Sequence, residues 1–562
     1  MKKSLLIIAL LIVTVAIKAQ DVFYHIENKA VYEFIDEMCN EKLIVVNTAV
    51  KPYSRKTIAK ALKEVNSKRS KLNQRQQNEL DFYLYQFALE MGNTSNPYSE
   101  KAKLNIFNKK SNFSSDIKTF GFAFNDSLFR VKINPIWGVR YISNENGSMT
   151  HTWGGLNGFA YIGNNFGIYA NLRDNQSNQY MHLPGQFSQY PTGAYKFGVQ
   201  NKTGIDYSEM RGGVTYGWKW GNIGLIKDNQ EWGDNYNGAN INSGNYPSIS
   251  MIQLNLSPRK WIDFRYYHGW LVSEVVDSAR SYTTANGDSR KVYRDKYIAG
   301  NILSFYFFKN LRLSMGNSIV YSDMNVNPGY LIPLNFFKSV DHSVNKGIDN
   351  QNSQMFLSLS SRLIKHTHFY CTYFIDEFSI TRVGDKVRNN FTSFKIGGKV
   401  ENWPIKNVAV TTEYTRTNPI TFKHRVPSLT YATNRFGIGH YLMDNSDEIY
   451  LDLSVKPMRG LLFKAWYINA RHGNDYEYSL TDDIKLDEKP VLEEFCWTSS
   501  RIGIKASYQF ITNSFIELSY EMRNDQGFDL DGKTAQYYLN KFSPKMYHGK
   551  TNSITAQLNF YF

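Results

Sequence analysis

Cysteine is scarce in this chain of 562 residues, which contains three cysteines, Cys39, Cys371 and Cys496, at widely separated positions. An odd number of distant cysteines offers neither a disulfide framework nor a metal-binding cluster. Long apolar runs are also lacking, since only the extreme N-terminus approaches the roughly 20 residues of a membrane-spanning helix. With a mean hydropathy of −0.44, the chain is excluded from the helical membrane proteins.

Recognisable catalytic patterns are missing as well. The chain has no Gly-x-Ser-x-Gly elbow, no His-Glu-x-x-His and no Gly-rich phosphate loop. His268 could be imagined as the base of a membrane hydrolase, but no partner is indicated, so we assign it to an aromatic cluster. The acidic segment 475–494 lacks the ligand spacing of a calcium loop and is predicted to be a solvated surface loop. We predict a non-enzymatic protein without cofactor or metal.

Residues 1–20 are predicted to be a secretory signal peptide. Lys2 and Lys3 form a positive start, Ser4 to Ile17 an apolar stretch, and Ala19-Gln20 a small-residue cleavage site. The net charge of +15 then belongs to an exported chain, and its bases are spread out rather than gathered in a stripe. Nucleic acid is therefore not an expected partner.

Residues 21–116 have the apolar period of helices. We predict three amphipathic helices near 28–39, 54–67 and 74–91, which together form a small bundle. Asn73, followed three residues later by Gln76, resembles a capping box at the start of the third helix. The lysines and arginines of this bundle are interpreted as a solvated face.

From residue 117 to the end, apolar residues recur at every second position. In the last strand Ile554, Ala556 and Leu558 alternate with Thr555 and Gln557. A soluble sandwich could give the same alternation. Short turns alternate along the chain with long connections rich in Gly, Asn, Asp and Tyr, and this asymmetry is typical of the two rims of a transmembrane barrel. We therefore predict that 117–562 is an antiparallel transmembrane β-barrel.

The number of strands follows from the hairpins. Eight hairpins between 154 and 523 supply sixteen strands, and 127–142 and 551–562 bring the total to eighteen. An even number places both chain ends on the short-turn side, together with the helical bundle. The segment 117–125 would be a nineteenth strand, and we interpret it as a lead-in strand or edge element.

The chain ends at Phe562, which closes a strand of alternating aromatic and aliphatic residues. Bacterial outer-membrane barrels commonly end in this way, and their assembly machinery reads the ending. We predict an outer-membrane monomer whose partners are membrane lipids and the barrel assembly machinery. Its helical bundle would lie in the periplasm and its long loops at the cell surface.

A barrel of this size has a lumen, and the inward positions carry many bases. The candidate binding residues in the lumen are Arg130, Lys132, Arg140, Arg211, Lys219, Arg265 and Arg312. One interpretation is a cationic surface for an acidic polymer, and the other is a network of salt bridges with inward acids such as Asp263 and Glu413. On the long loops, Trp232, Tyr236 and Tyr246 could stack on sugars or could simply pack at an interface.

Several segments together resemble the capsule-assembly protein Wzi family over nearly the whole mature chain. They are Lys51 to Lys60, Asn229 to Asn235, Ser243 to Ile249, Leu331 to Phe337, Asp349-Asn350 and Asp376 to Phe378. The resemblance implies a monomeric eighteen-stranded outer-membrane barrel with a periplasmic helical bundle. It further implies a lectin that tethers or organises exported capsular polysaccharide beside a separate export channel.

Two other functions stay open within the same fold. Relatives similar to this chain occur as cell-surface proteins of gliding motility, and a wide barrel could also be a diffusive porin. The family pattern marks strands and loops rather than ligand residues, so no individual sugar-binding residue follows from the resemblance.

Overall fold

The computed structural model describes residues 20–91, 103–105, 121–125, 128–193, 205–344, 348–478 and 485–561. Three features predicted from the sequence fall wholly or almost wholly outside these ranges. They are the signal peptide at 1–20, the domain boundary at 116/117 and the terminal Phe562.

Eighteen antiparallel strands form a closed barrel, which confirms the predicted fold class and strand number. The last strand pairs with the first, with Phe560 opposite Trp137 and Ile554 opposite Ser143. The strands are β1 Phe129–Asn144, β2 Gly147–Ile162, β3 Phe166–Ser177, β4 Ile205–Trp218, β5 Gly221–Asp228, β6 Ile249–Arg259, β7 Ile262–Val276, β8 Tyr293–Phe307, β9 Leu311–Ser322, β10 Gln351–Ser361, β11 Thr367–Glu377, β12 Phe391–Glu401, β13 Val408–Thr417, β14 Ser446–Met458, β15 Leu461–His472, β16 Trp497–Ile511, β17 Ser514–Gly527 and β18 Gly549–Tyr561.

The extra segment in front of the barrel is an edge element, as predicted. Gly121–Asn125 pairs with the beginning of β1, where Phe122 lies opposite Ile133. The pairing of β18 with β1 starts only at Ile136. The lead-in segment therefore pairs with the part of β1 that precedes its pairing with β18, so it does not interrupt the closure of the barrel.

One predicted connection was wrong. The sequence left a gap between strands ending at 142 and starting at 154, whereas β1 and β2 continue to a tight turn with Asn144 opposite Gly147. Gly147 has a φ of +130°, in the region that favours glycine, and this allows so short a turn on the rim of long loops. The sequence also predicts a short turn at Ser257 to Arg259, but strand β6 continues to Arg259 and the turn follows at 260–261.

Alternation separates the two faces of the wall. In β16, Ile502 and Ile504 point outward and are 49% and 59% exposed, whereas Arg501, the residue before Ile502, is buried in the lumen. Such an apolar outer surface is the lipid-facing band of a transmembrane barrel.

Four helices precede the barrel and confirm the predicted helical region. They are α1 Lys29–Asn40, α2 Arg55–Asn66, α3 Gln74–Gln86 and α4 Ala88–Met91. Asn73 and Gln76 form the predicted capping box, because each side chain accepts a hydrogen bond from the other's backbone N–H. Among the described residues, no helix is long and apolar enough to cross a membrane.

These helices occupy the short-turn end of the barrel. The carbonyl of Asn40 accepts a hydrogen bond from the backbone N–H of His366, and the side chain of Arg75 donates one to Asn407. His366 and Asn407 each lie in a short turn of the barrel. Arg459 in another short turn lies over the ring of Phe82. Contacts with several turns seat the bundle against this rim.

Polypeptide enters the lumen from both ends. From the helical side, Val50–Lys51 forms a two-residue ladder with Glu231–Trp232, which belongs to the connection 229–248. From the loop side, 418–445 crosses above it, and Tyr431 Oη donates to the carbonyl of Ile241 at 3.1 Å. A buried apolar cluster that includes Trp232, Ile241 and Tyr431 fills this region.

The connection 323–350 was predicted as a loop beyond the rim. Its helix α5, Phe337–Val344, instead belongs to a segment that packs on the outside of the barrel wall. Tyr330 and Phe337 of this segment are completely buried against outward side chains such as Tyr266.

Candidate functional site

A cavity of about 310 Å³ lies in the lumen between the helical region and the inward loop 229–248. This volume is at the lower end of the ~300–1,000 Å³ typical of ligand sites. Helix α1 supplies one side of the cavity through Lys29, Glu33 and Asp36. The barrel wall supplies the opposite side through strands β12 to β15.

The cavity is rich in charge of both signs, with acids in excess. Its lysines are Lys29, Lys51, Lys399, Lys456 and Lys464. Its acids are Glu27, Glu33, Asp36, Glu209, Glu231, Asp234, Glu401 and Asp452. This composition does not match the cationic lumen that the sequence suggested as one alternative.

Tyr236 lies at the centre of this arrangement. Its hydroxyl donates to Asp36 Oδ2 at 2.8 Å and lies 2.8 Å from Nδ1 of His368. The ammonium of Lys399 is 5.2 Å from the ring centroid, and Glu413 accepts the backbone N–H of Tyr236. A fixed aromatic face beside alternating donors and acceptors suits a ligand with apolar faces and many hydroxyls.

Two buried ion pairs connect this part of the lumen to the wall. Arg362 pairs with Asp36, and Arg312 pairs with Asp234 while donating to Thr48 Oγ1 at 3.0 Å. Burial alone would raise the pKa of both carboxyl groups. The guanidinium groups reverse this effect and hold each pKa below its ordinary value.

Arg211 meets the start of the helical region. Its Nη2 donates to Glu27 at 3.1 Å, and its guanidinium contacts His25. Burial, reinforced by Arg211, lowers the pKa of His25 to about 3. The imidazole is therefore neutral at physiological pH and can accept a hydrogen bond from the arginine.

The other predicted lumen bases also have partners in the wall or bundle. Arg265 pairs with Asp263 at 3.0 Å, Arg130 donates to the carbonyl of Leu89 at 3.0 Å, and Arg140 donates to Gln557 at 2.7 Å. Lys132 lies on the same inward face of β1. Arg211, Arg265 and Arg312 thus have carboxylate partners, as the salt-bridge alternative expects. Arg130 and Arg140 donate to uncharged groups.

Three predicted positions need correction. Lys219 lies in the turn between β4 and β5 and is exposed, so it is not a lumen residue. Trp232 is 2% exposed and packs edge-on against Tyr267 and Phe356, so it offers no free face for stacking. Tyr246 is equally buried and donates to Asn242, although its edge lines the cavity.

Sequence reasoning missed the contribution of helix α1. Lys29, Glu33 and Asp36 recur at spacings of four and three residues and therefore share one face. That charged stripe was visible in the sequence, but it was interpreted as a solvated surface of the bundle.

His268 lies outside the lumen, on the outward face of β7. Its ring contacts Trp270, Tyr297 and Tyr321, and its Nε2 is 2.6 Å from Tyr321 Oη. This is the predicted aromatic cluster. Within the described ranges, no group of three or more His, Cys, Asp and Glu side chains is arranged to hold a metal ion.

Comparison with known sequences gives no match to a family model or to a curated protein. Among solved structures, the chain is similar to Wzi, an outer-membrane protein involved in group 1 capsule assembly in Escherichia coli, which is described as a carbohydrate-binding β-barrel. The TM-score is 0.54 at 10% identity, over 97% of this chain and 100% of Wzi. The chain has the fold of an outer-membrane barrel.

Two further barrels align less well. OprD from Pseudomonas aeruginosa gives a TM-score of 0.39 at 10% identity, over 77% of this chain and 93% of OprD. OccAB2 from Acinetobacter baumannii gives 0.42 at 11% identity, over 78% of this chain and all of OccAB2.

Proposed function

We propose that this protein is a non-conducting barrel of the outer membrane that binds an exported surface polysaccharide and helps to retain it at the cell. The observation that carries the proposal is the meeting of Val50–Lys51 with Glu231–Trp232 inside the lumen. Polypeptide from both rims enters the lumen and leaves a polar cavity of about 310 Å³ where a porin would keep an aqueous channel. The likeness to a carbohydrate-binding barrel supports the same function.

In this proposal the helical region faces the periplasm and the long loops face the exterior. The short turns and the helices share one rim, and short turns are periplasmic in outer-membrane barrels. Four of the eight acids around the cavity, Glu27, Asp36, Glu209 and Asp234, are paired with arginines, so four acids remain against five lysines. We therefore expect the part of the polymer that enters the cavity to be neutral. We propose no catalytic activity.

The first test is a gene deletion in the native host, scored for attached and shed polysaccharide, with motility measured in the same strain. We expect shed polymer to increase while total polymer stays constant. Retained polymer together with lost surface spreading would assign the chain to gliding motility instead.

The second test uses purified protein. We expect no steady current in planar bilayers, whereas a stable open-channel conductance would favour the porin alternative. Binding of polysaccharide fragments should weaken in Tyr236→Ala, which removes the ring beside Asp36 and Lys399. Tyr282→Ala is the matched control, because Tyr282 is 56% exposed in a hairpin that does not line the cavity.

A further inference from the structure

The outer wall formed by β7, β8 and β9 has polar side chains at positions where a lipid-facing surface would have apolar ones. His268, Asn301 and Asn317 all point outward, yet they are 0%, 6% and 8% exposed. In register, Tyr266 lies opposite Asn301, and Asn301 lies opposite Asn317. A band of polar side chains therefore crosses three neighbouring strands on the outside of the barrel.

Residues 327–344 cover this band, and hydrogen bonds fix them to it. Asn301 Nδ2 donates to the carbonyls of Pro333 at 2.8 Å and Asn335 at 3.0 Å. Asn317 Oδ1 accepts the backbone N–H of Phe337 at 2.9 Å. The polar residues of the wall thus satisfy backbone groups of an irregular segment.

A third residue of the wall, Tyr266, also bonds the segment. The hydroxyl of Tyr266 donates to the carbonyl of Tyr330 at 2.9 Å, and Tyr330 itself is completely buried. The segment leaves the loop rim after β9, descends to Pro333–Asn335, and returns through α5 to β10.

The depth of the segment can be judged by counting outward residues from the short turns. On β8 the outward residues from the turn are Phe307, Phe305, Leu303 and Asn301. On β16 the fourth outward residue from its own turn is Ile504, which is 59% exposed on the apolar wall. Asn301 and the backbone bonded to it therefore lie at the level of the lipid-facing band.

The outer surface of the segment is apolar over residues 331–336, whereas α5, which returns towards the loop rim, exposes the polar Ser339, His342 and Ser343. Leu331, Ile332, Leu334 and Phe336 are 41%, 52%, 77% and 47% exposed. The adjacent wall below it, at Met315, is 43% exposed. The apolar side chains of the segment thus continue the lipid-facing surface over the polar band.

We propose that residues 330–337 form the membrane-embedded part of this segment and that their partner is the acyl chains of the bilayer. Irregular backbone at membrane depth is tolerated only where protein satisfies its polar groups. Asn301, Asn317 and Tyr266 provide those partners from the barrel. Leu331, Ile332, Leu334 and Phe336 contact lipid in place of the wall that they cover.

The test measures the depth of fluorescent NBD labels in liposomes. The native thiol of Cys371 points outward between Leu359 and Ile396 and serves as a lipid-facing reference, whereas Cys39 and Cys496 are buried. A Cys371→Ser background then carries either Leu334→Cys or Ser289→Cys. Ser289 is exposed in the hairpin that follows β7 and reports an aqueous position.

We expect the label at position 334 to be quenched by doxyl-labelled lipids and protected from iodide to the same extent as the label on Cys371. Iodide quenching equal to that at position 289 would overturn the proposal. Each protein is first checked for a folded barrel by its altered mobility in unheated gels. Phe336→Cys provides a second position if the variant at 334 does not fold.

Discussion

Two sectors of the outer wall meet the membrane in different ways. In the sector β16 to β18, Ile504, Leu518 and Ile554 face outward with 55–59% exposure, so side chains of the strands form the apolar surface. In the sector β7 to β9, polar outward side chains are covered, and a separate segment supplies the apolar surface. Alternation along a strand therefore identifies the outward face, but it does not show what that face contacts.

Removing the cover should have the largest effect. We predict that replacing 324–349 by a short Gly-Ser linker greatly lowers the yield of folded barrel. The linker is geometrically feasible, because the N–H of Ser322 already donates to the carbonyl of Asn350. Asn301 Nδ2 and Asn317 Oδ1 would then lose their partners on the segment and face lipid, while Asn317 Nδ2 still donates to Asn301 Oδ1 at 2.8 Å. Each lost partner should cost on the order of 2 kcal/mol. Heat-modifiable mobility and urea unfolding in liposomes measure this effect.

The matched control adds Asn301→Leu and Asn317→Leu to the linker variant. These changes should recover part of the folded yield, because the exposed wall becomes apolar like the sector β16 to β18. Equal yields with and without the leucines would show that the polar band is not what the segment protects.

Charged substitutions compare the two sectors directly. Ile504→Arg, in the sector β16 to β18 and at the same count of outward residues as Asn301, should lower the unfolding free energy by about 2–4 kcal/mol if it lies near the middle of the bilayer. We expect Leu334→Arg on the segment to cost a similar amount, since it would lie at a similar depth. Ser289→Arg should change stability by less than about 0.5 kcal/mol. A negligible effect of Leu334→Arg would indicate that the segment is in water.

A smaller effect is expected from one hydrogen bond. Asn317→Leu leaves the backbone N–H of Phe337 without its acceptor and should cost about 1–3 kcal/mol. The label at position 334 should then become more accessible to iodide. Asn552→Leu is the control, because Asn552 is an exposed outward residue that bonds Glu145 at the rim.

The smallest effect is predicted for the aromatic cluster under the cover. His268→Phe together with Tyr321→Phe removes both members of a hydrogen-bonded pair and keeps aromatic volume. Removal of both partners should change the unfolding free energy by less than about 1 kcal/mol. A loss of several kcal/mol would show that this pair organises the covered sector.

Most of the secondary structure could be predicted from the sequence because local periodicity encodes it. Helices α1 to α3 and the alternation of the eighteen strands follow from the spacing of apolar residues. The tight turn at 145–146 was missed because every connection on that rim was assumed to be long. The destination of the long connections could not be predicted, because distant contacts decide whether a loop enters the lumen or covers the wall.

The candidate site was harder to predict for the same reason. Inward arginines such as Arg211 and Arg312 were identified, but their partners Glu27 and Asp234 come from distant segments. Lys219 was predicted to face the lumen because the alternation of inward and outward residues in β4 was extended one residue too far, into the turn after Trp218. Asn301 and Asn317, by contrast, interrupt the outward apolar series and were a visible signal of the covered wall.

The ladder between Lys51 and Glu231 also has a mechanical consequence. It joins a loop of one rim to the helical region of the other through backbone hydrogen bonds and an ion pair of 2.6 Å. In the proposed function, a pulling force on a polymer bound to the loop 229–248 would be carried by β5 and β6, which continue the loop, and in part by this ladder to the segment between α1 and α2. The barrel would then surround a noncovalent connection that is under tension between the two sides of the membrane.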